Sequence, residues 1–188
     1  MKPASPISID CLGLIMSLHI IIDGYNLIRQ SAELSILDNQ DIQSGREALM
    51  EKLAAYRRLK HHRLTVVFDG THAPAGATFR DTVQGIHIRY SRHGELADAV
   101  IKRMAASEKE RALIVSSDQD VIRFSQAMGC ATIGSLQFED KLVMAVFMET
   151  GQLNDEPASG WTPTTKKKGP SRKLSKKERR NRIKTEKL

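Results

Sequence analysis

Four short stretches of this chain carry carboxylates where a folded sheet could gather them. They are Asp23 in Asp23-Gly24-Tyr25-Asn26, Asp69 in Phe68-Asp69-Gly70, Asp98 in Glu95-Leu96-Ala97-Asp98, and Asp118 with Asp120 in Ser116-Ser117-Asp118-Gln119-Asp120. Carboxylates held together repel one another and raise one another's pKa unless a cation neutralises them. Hard divalent ions with oxygen ligands do this, and Mg²⁺ and Mn²⁺ keep several of their waters in such sites. A metal-bound water ionises near neutral pH, and the same ion neutralises charge that develops on a phosphoryl group, with one ion or with two. Acids so arranged suit phosphodiester hydrolysis.

Each piece also has a plain structural reading. Asp-Gly after a strand is a common turn, Asp118 suits a helix N-cap, and Asp98 suits the first turn of a helix. Weight comes from the coincidence of acids at four successive elements. No G-x-x-x-x-G-K-[ST] and no G-x-G-x-x-G occurs, so the chain offers no phosphate-cradling glycine loop.

Strands and helices alternate along the body. Leu18 to Ile22, Leu64 to Phe68, Ile86 to Tyr90, Ala112 to Val115 and Ala131 to Ile133 read as short apolar strands. Ile42 to His61, Leu96 to Met104, Val121 to Met128 and Phe138 to Met148 read as helices, with apolar residues three and four apart. The methionines in these helices read as core. Such alternation implies a parallel sheet covered on both faces. Right-handed crossovers bring every strand's carboxyl end to one edge, where ligands bind. Asp23, Asp69 and Asp118 follow strands on that edge, and Asp98 starts the helix after the third.

Forty per cent of the 188 residues are hydrophobic, enough for one core, and only 5% are aromatic. Charge is uneven. Residues 161–188 hold twelve Lys or Arg and two Glu, so of the net +7 the tail carries +10 and residues 1–160 carry −3. The tail therefore points to a polyanion partner. Two cysteines, Cys11 and Cys130, make no metal spacing and no disulfide framework, so a reduced cytoplasmic setting is expected. The apolar run from Cys11 to Ile22 is too short to span a bilayer and lacks a clear cleavage site, so no membrane partner is expected. Residues 1–16 read as an N-terminal extension with Met16 as an internal start, 17–150 as the domain, 151–165 as a linker and 166–188 as a basic tail. The tail is expected to be disordered when free and helical from Ser175 to Lys187 when bound.

The strings HIIIDGYNLIRQ (19–30), LTVVFDG (64–70), ELADAVI (95–101) and ALIVSSDQD (112–120), in this order, resemble the YacP-like branch of the NYN family, within the PIN-like ribonuclease superfamily. The resemblance covers roughly residues 17–150. It implies a three-layer α/β/α fold whose central, mostly parallel five-stranded sheet has the order 3-2-1-4-5. It also implies a Mg²⁺ or Mn²⁺ site and endoribonuclease activity, in some relatives on messenger RNA at the ribosome. By motif, Asp23 resembles the central metal ligand, Asn26 a residue orienting ligands or phosphate, Asp98 the second acid, and Asp118 the third with Ser116 in support. Asp69 and Asp120 resemble flanking acids, and Glu95 is a further candidate. Preference for RNA over DNA comes from the resemblance alone.

Arg80, Arg89 and Arg92, around the third strand, are candidate phosphate contacts. So are Lys166, Lys167, Lys168, Arg172, Lys173, Lys176, Lys177, Arg179 and Arg180 of the tail. His61 and His62 suit a helix end, whereas His72, His87 and His93 lie in segments able to approach the edge. The stretch from Thr71 to Gly85 reads as a long loop able to cover a groove. A second reading is a catalytically silent RNA-binding module that docks on ribosomal or other structured RNA through the tail. A phosphatase lacks support, because there is neither a D-x-D strand end nor a P-loop.

Overall fold

The computed structural model describes residues 18–149, except 75 and 77, and residues 175–188. Residues 1–17 and 151–174, where the extension, the linker and part of the tail were expected, lie outside the described residues.

The strands are β1 (His19–Asp23), β2 (Arg63–Phe68), β3 (Arg80–Val83), β4 (Ile86–Tyr90), β5 (Ala112–Val115) and β6 (Ala131–Ile133). The helices are α1 (Gly24–Gln30), α2 (Ala32–Gln40), α3 (Ile42–Leu59), α4 (Ala97–Glu108), α5 (Gln119–Ala127), α6 (Ser135–Glu149) and α7 (Lys176–Glu186). All six strands join one sheet in the order β3-β4-β2-β1-β5-β6, parallel except for the β3–β4 hairpin. Without β3, the other five numbered along the chain run 3-2-1-4-5, as expected.

Alternate residues of the strands feed two apolar layers. Ile20, Ile22, Val66, Phe68, Leu113 and Val115 join Leu27, Leu49, Leu53, Tyr56 and Phe138 from α1, α3 and α6. Ile21, Val67 and Ile114 join Val100, Ile101, Met104 and Val121 from α4 and α5. The central strand β1 is buried along its whole length, which explains its unbroken apolar run.

Three segments depart from the sequence expectation. The polar stretch after β1 contains α1 and α2, started by Asp23 and by Ser31, whose side chain accepts from the Leu34 amide. Leu34 is the one buried residue of α2, so no apolar period marked it. Part of the expected loop, Arg80–Val83, pairs instead with β4; all four of its residues are exposed, which hid it as a strand.

The third is α7. Although its composition favours disorder in isolation, it lies against β6. Asn181 accepts from the Thr132 amide at 2.7 Å through Oδ1 and donates to the Thr132 carbonyl at 3.2 Å through Nδ2. This one side chain satisfies an outer strand edge in place of another strand. Arg180 pairs with Glu110, and Ser175 with Glu178 forms a capping box at the helix start. Leu188 buries its side chain in the larger core, and its carbonyl accepts from the Tyr56 hydroxyl at 3.5 Å. No helix among the described residues is long and apolar enough to cross a membrane.

Leu188→Ala should lower unfolding stability by about 2 kcal/mol or more. Asn181→Ala should speed hydrogen exchange at the Thr132 amide. An unaltered denaturation midpoint together with unaltered exchange would show that α7 leaves the body free in solution.

Candidate functional site

At the carboxyl edge of the sheet each acid first serves its own backbone. Asp23 ends β1 and caps α1, with Oδ1 accepting from the Asn26 amide at 3.2 Å. Asp69 follows β2 and caps a 3₁₀ turn, accepting from the Thr71 amide at 2.9 Å. Asp118 follows β5 and caps α5, accepting from the Asp120 and Val121 amides at 2.7 and 3.1 Å. Asp98 sits in the first turn of α4. The structural readings of these residues are therefore correct, and they do not exclude chemistry. Capping fixes each carboxylate at the sheet edge, and both cap bonds of Asp118 fall on Oδ1. Its Oδ2 has no protein donor among the described residues.

The four acids line one cavity of about 480 Å³ together with Tyr25, Asn26, Arg29, Thr71 and His72. Close approach shapes its walls. A Cβ on Gly24 would stand 2.3 Å from the Phe68 ring, and one on Gly70 would stand 2.0 Å from the Ser91 carbonyl oxygen. Only glycine fits after either aspartate.

Asp23 is the most deeply buried of the four acids. It is 6% exposed. Burial pushes its carboxyl up to about 6; hydrogen bonds from the Asn26 amide and Ser116 pull the other way, and the charges of Asp98 and Asp118 push it up further. Ser116 Oγ donates to Asp23 Oδ2 at 3.1 Å and accepts from the Asp118 amide at 3.1 Å, linking two of the acids. Asp98 is also raised, by burial first and then by Asp118, with Lys102 opposing. Asp69 is lowered, chiefly by its hydrogen bond with the Thr71 side chain.

Asn26 ties three segments together. Its Oδ1 accepts from the Ser117 amide at 2.9 Å, from Ser135 Oγ at 2.7 Å and from Gln30 Nε2 at 3.3 Å. Because the Ser117 amide can only donate, the carboxamide orientation is fixed. Its Nδ2 has no acceptor among the described residues. The Ser135 amide in turn donates to Ser117 Oγ at 3.1 Å. Tyr25 meets the Phe68 ring edge-on at 5.1 Å and lies under the Arg29 guanidinium at 5.5 Å. Buried Arg46 donates to the Tyr25 hydroxyl and to the His72 carbonyl, anchoring the loop after β2.

Asp23, Asp69, Asp98, Asp118 and Asn26 thus come together, with Ser116 beneath them. Asp120 is exposed and paired with Lys102 instead of lining the cavity. Glu95 pairs with Arg103 and lines a neighbouring groove. Arg80, Arg89 and Arg92 line that groove as well. Lys176, Lys177, Arg179 and Arg180 stand on α7 beside β6, whereas Lys166, Lys167, Lys168, Arg172 and Lys173 lie outside the described residues. Of the histidines, His72 reaches the cavity, and His87 contacts Thr82 within the hairpin. Ser117, Ser135, Arg29 and Arg46 escaped sequence reasoning. Ser117 and Arg29 lie inside the motifs singled out in the sequence but drew no role there, and Ser135 is a small polar residue just past the last strand.

The carboxylates at the cavity offer oxygen donors, which fit a hard divalent ion, with His72 as the one imidazole in the lining. As the side chains stand, no three His, Cys, Asp or Glu among the described residues approach closely enough to enclose one.

The chain belongs to the YacP-like NYN domain family, whose model matches residues 20–186. That match runs through α7 and includes the segment first read as lying outside the family's core. Membership and the sheet order place the chain among domains of the PIN-like fold. It is 29% identical over 86 residues to "Uncharacterized protein YacP" of Bacillus subtilis (strain 168), a match covering 46% of this chain and half the length of that relative. Its fold is similar to two crystal structures of Rae1 (YacP) from Bacillus subtilis. One has a TM-score of 0.60 at 21% identity, over 71% of this chain and 78% of the other. The second, of a mutant, has a TM-score of 0.55 at 20% identity, over 72% and 78%.

The pKa of Asp23 has a consequence for stability. Its carboxyl binds a proton more tightly in the folded state than its ordinary value near 3.8 allows. Folding stability therefore falls as pH rises from about 4 to about 6, and the deficit is complete above that window. Asp23→Asn should stabilise the metal-free protein at pH 7 by up to about 3 kcal/mol. The gain should vanish near pH 4. Urea unfolding at both pH values tests this, and equal stability of variant and wild type at pH 7 would contradict the burial of a charged Asp23.

Proposed function

We propose that this chain is a divalent-metal-dependent endoribonuclease that hydrolyses RNA phosphodiester bonds at the cavity of Asp23, Asp69, Asp98 and Asp118. The observation carrying this reading is a buried, doubly hydrogen-bonded Asp23 surrounded by further acids on the ligand-binding edge of the sheet. Burial of an uncompensated charge is costly, and structural caps have no need to converge on one cavity.

Asp23, Asp98 and Asp118 would hold Mg²⁺ or Mn²⁺, the ion keeping several waters because few protein ligands reach it. When bound, the ion supplies an acidified water and neutralises the charge building on the phosphoryl group. The protein's own contributions are positional. Ser116 keeps Asp23 and Asp118 in fixed relation through a single hydroxyl. Asn26 offers Nδ2 to a phosphate oxygen while its Oδ1 is pinned from three sides. Asp118, with both cap bonds on Oδ1, would present Oδ2 to the ion or to one of its waters. Asp69 stands as a flanking acid, whereas Asp120 and Glu95 are engaged by Lys102 and Arg103.

The RNA partner is messenger or ribosomal, in the cytoplasm. The cations of α7 provide a second surface for a structured RNA such as the ribosome.

The test is cleavage of a long single-stranded RNA in Mn²⁺, with and without EDTA, by wild type and by the double variant Asp23→Asn, Asp118→Asn. Chelation or the double substitution should each lower the rate by about 100-fold or more. Mn²⁺ should raise the melting temperature of wild type and leave that of the variant unmoved. Cleavage that persists in EDTA would overturn metal dependence. RNA binding with neither cleavage nor a Mn²⁺-dependent thermal shift would favour the silent binding module.

A further inference from the structure

A second cavity, of about 400 Å³, runs along the flank of α4 on the sheet face opposite the larger core. One wall is α4, through Val100, Arg103, Met104 and Ser107 at helical three- and four-residue spacing. The facing wall is the β3–β4 hairpin, with Arg80 and Arg89. Arg92 and Glu95 stand at its upper mouth. The next three residues, Leu96, Ala97 and Asp98, line the acidic cavity, so the groove opens directly beside the candidate site.

Charge within the groove is unbalanced. Arg80 and Arg89 are direct partners across the antiparallel pair, and like charges so placed are destabilising. The two groove acids are already engaged, Glu95 by Arg103 and Glu108 by His19 and Arg111. Arg80, Arg89 and Arg92 have no ion-pair partner among the described residues. Charged edge strands protect sheets from pairing with other chains. That explains Arg80 on the edge but not Arg89, which is half-buried on an interior strand. Its guanidinium is lowered by burial and by Arg80 and Arg63 nearby. Phe79, beside these arginines, exposes 61% of its surface. Cations that follow a groove beside an exposed aromatic ring are the ordinary means of holding single-stranded nucleic acid.

We propose that the groove between α4 and the β3–β4 hairpin carries the single-stranded RNA flanking the scissile phosphate, with Arg80, Arg89 and Arg92 on its phosphates and Phe79 under a base. This rests on the nuclease reading for the direction of the strand, which leaves the groove at the acidic cavity. An exposed ring calls for an unpaired base, which a duplex does not offer.

The test measures binding without cleavage. Fluorescence anisotropy in EDTA follows the full chain with a labelled oligouridine of about twelve nucleotides across a salt series. The double variant Arg80→Ala, Arg89→Ala should reduce the slope of log K against log salt by about 1.4, two single-strand contacts of about 0.7 each. Arg80→Lys, Arg89→Lys should keep the slope, which separates charge from any damage to the hairpin. Phe79→Ala should weaken binding about fivefold or more with the slope unchanged. Double-stranded RNA should compete poorly. An unchanged slope in the alanine variant, or equal competition by duplex, would overturn the proposal. These outcomes are independent of catalysis. Wild type that binds through the groove yet never cuts would refute only the nuclease, and cutting with an unchanged slope would refute only the groove.

Discussion

The constraint on which the structure depends is a charge in the wrong place. Asp23 ends the central strand of the sheet, and its carboxylate is buried beside two other acids. Its neighbours answer that cost. The Asn26 amide and the Ser116 hydroxyl donate to its two oxygens. Ser116 faces Asp23 because β1 and β5 pair in register through Ile22 and Val115. Asn26 is in place because Asp23 starts α1, and Oδ1 of Asn26 holds the loops after β5 and β6 against that helix. The hydrogen bonds reduce the strain without removing it, as the raised carboxyl shows. Carboxyls shifted by burial and by neighbouring acids cluster at functional sites.

The walls of the cavity follow from packing on the large-core side. Tyr25 lies edge-on to Phe68, and Arg46 binds its hydroxyl and the backbone of His72. The 3₁₀ turn carrying Asp69 is thereby fastened to α3. Gly24 and Gly70 let these pieces approach closely enough for their acids to share one space. On the other face, α4 covers β1, β2 and β5 but stops short of the hairpin. The cationic groove is the uncovered remainder.

Much of this was legible in the sequence, because parallel strands write themselves as short apolar runs and their carboxyl ends share an edge. That rule located Asp23, Asp69 and Asp118, and the helix following the third expected strand located Asp98. It could not find α2, whose one buried residue leaves no period, or β3, whose exposed residues resemble a loop. Nor could it tell the cavity acids from Asp120 and Glu95, since Lys102 and Arg103 reach these only by the geometry of α4. The Asn26–Ser135 contact spans 109 positions, with nothing local to announce it. In α7, composition argued for disorder, but one asparagine against Thr132 and one leucine in the core decide the outcome.

The hydroxyl contact between Ser116 and Asp23 joins positions 93 apart. Closing so long a loop carries an entropic cost before any contact offsets it, so pairings of this kind form slowly. A chain that has paired only β1 with β2 holds Asp23 and Asp69, but it lacks Asp118 and the hydroxyl that steadies both Asp23 and the Asp118 backbone. The acid quartet therefore needs the long-range pairing of β1 with β5. Whatever this cavity does to its ligand, it acquires the ability only with that long-range pairing.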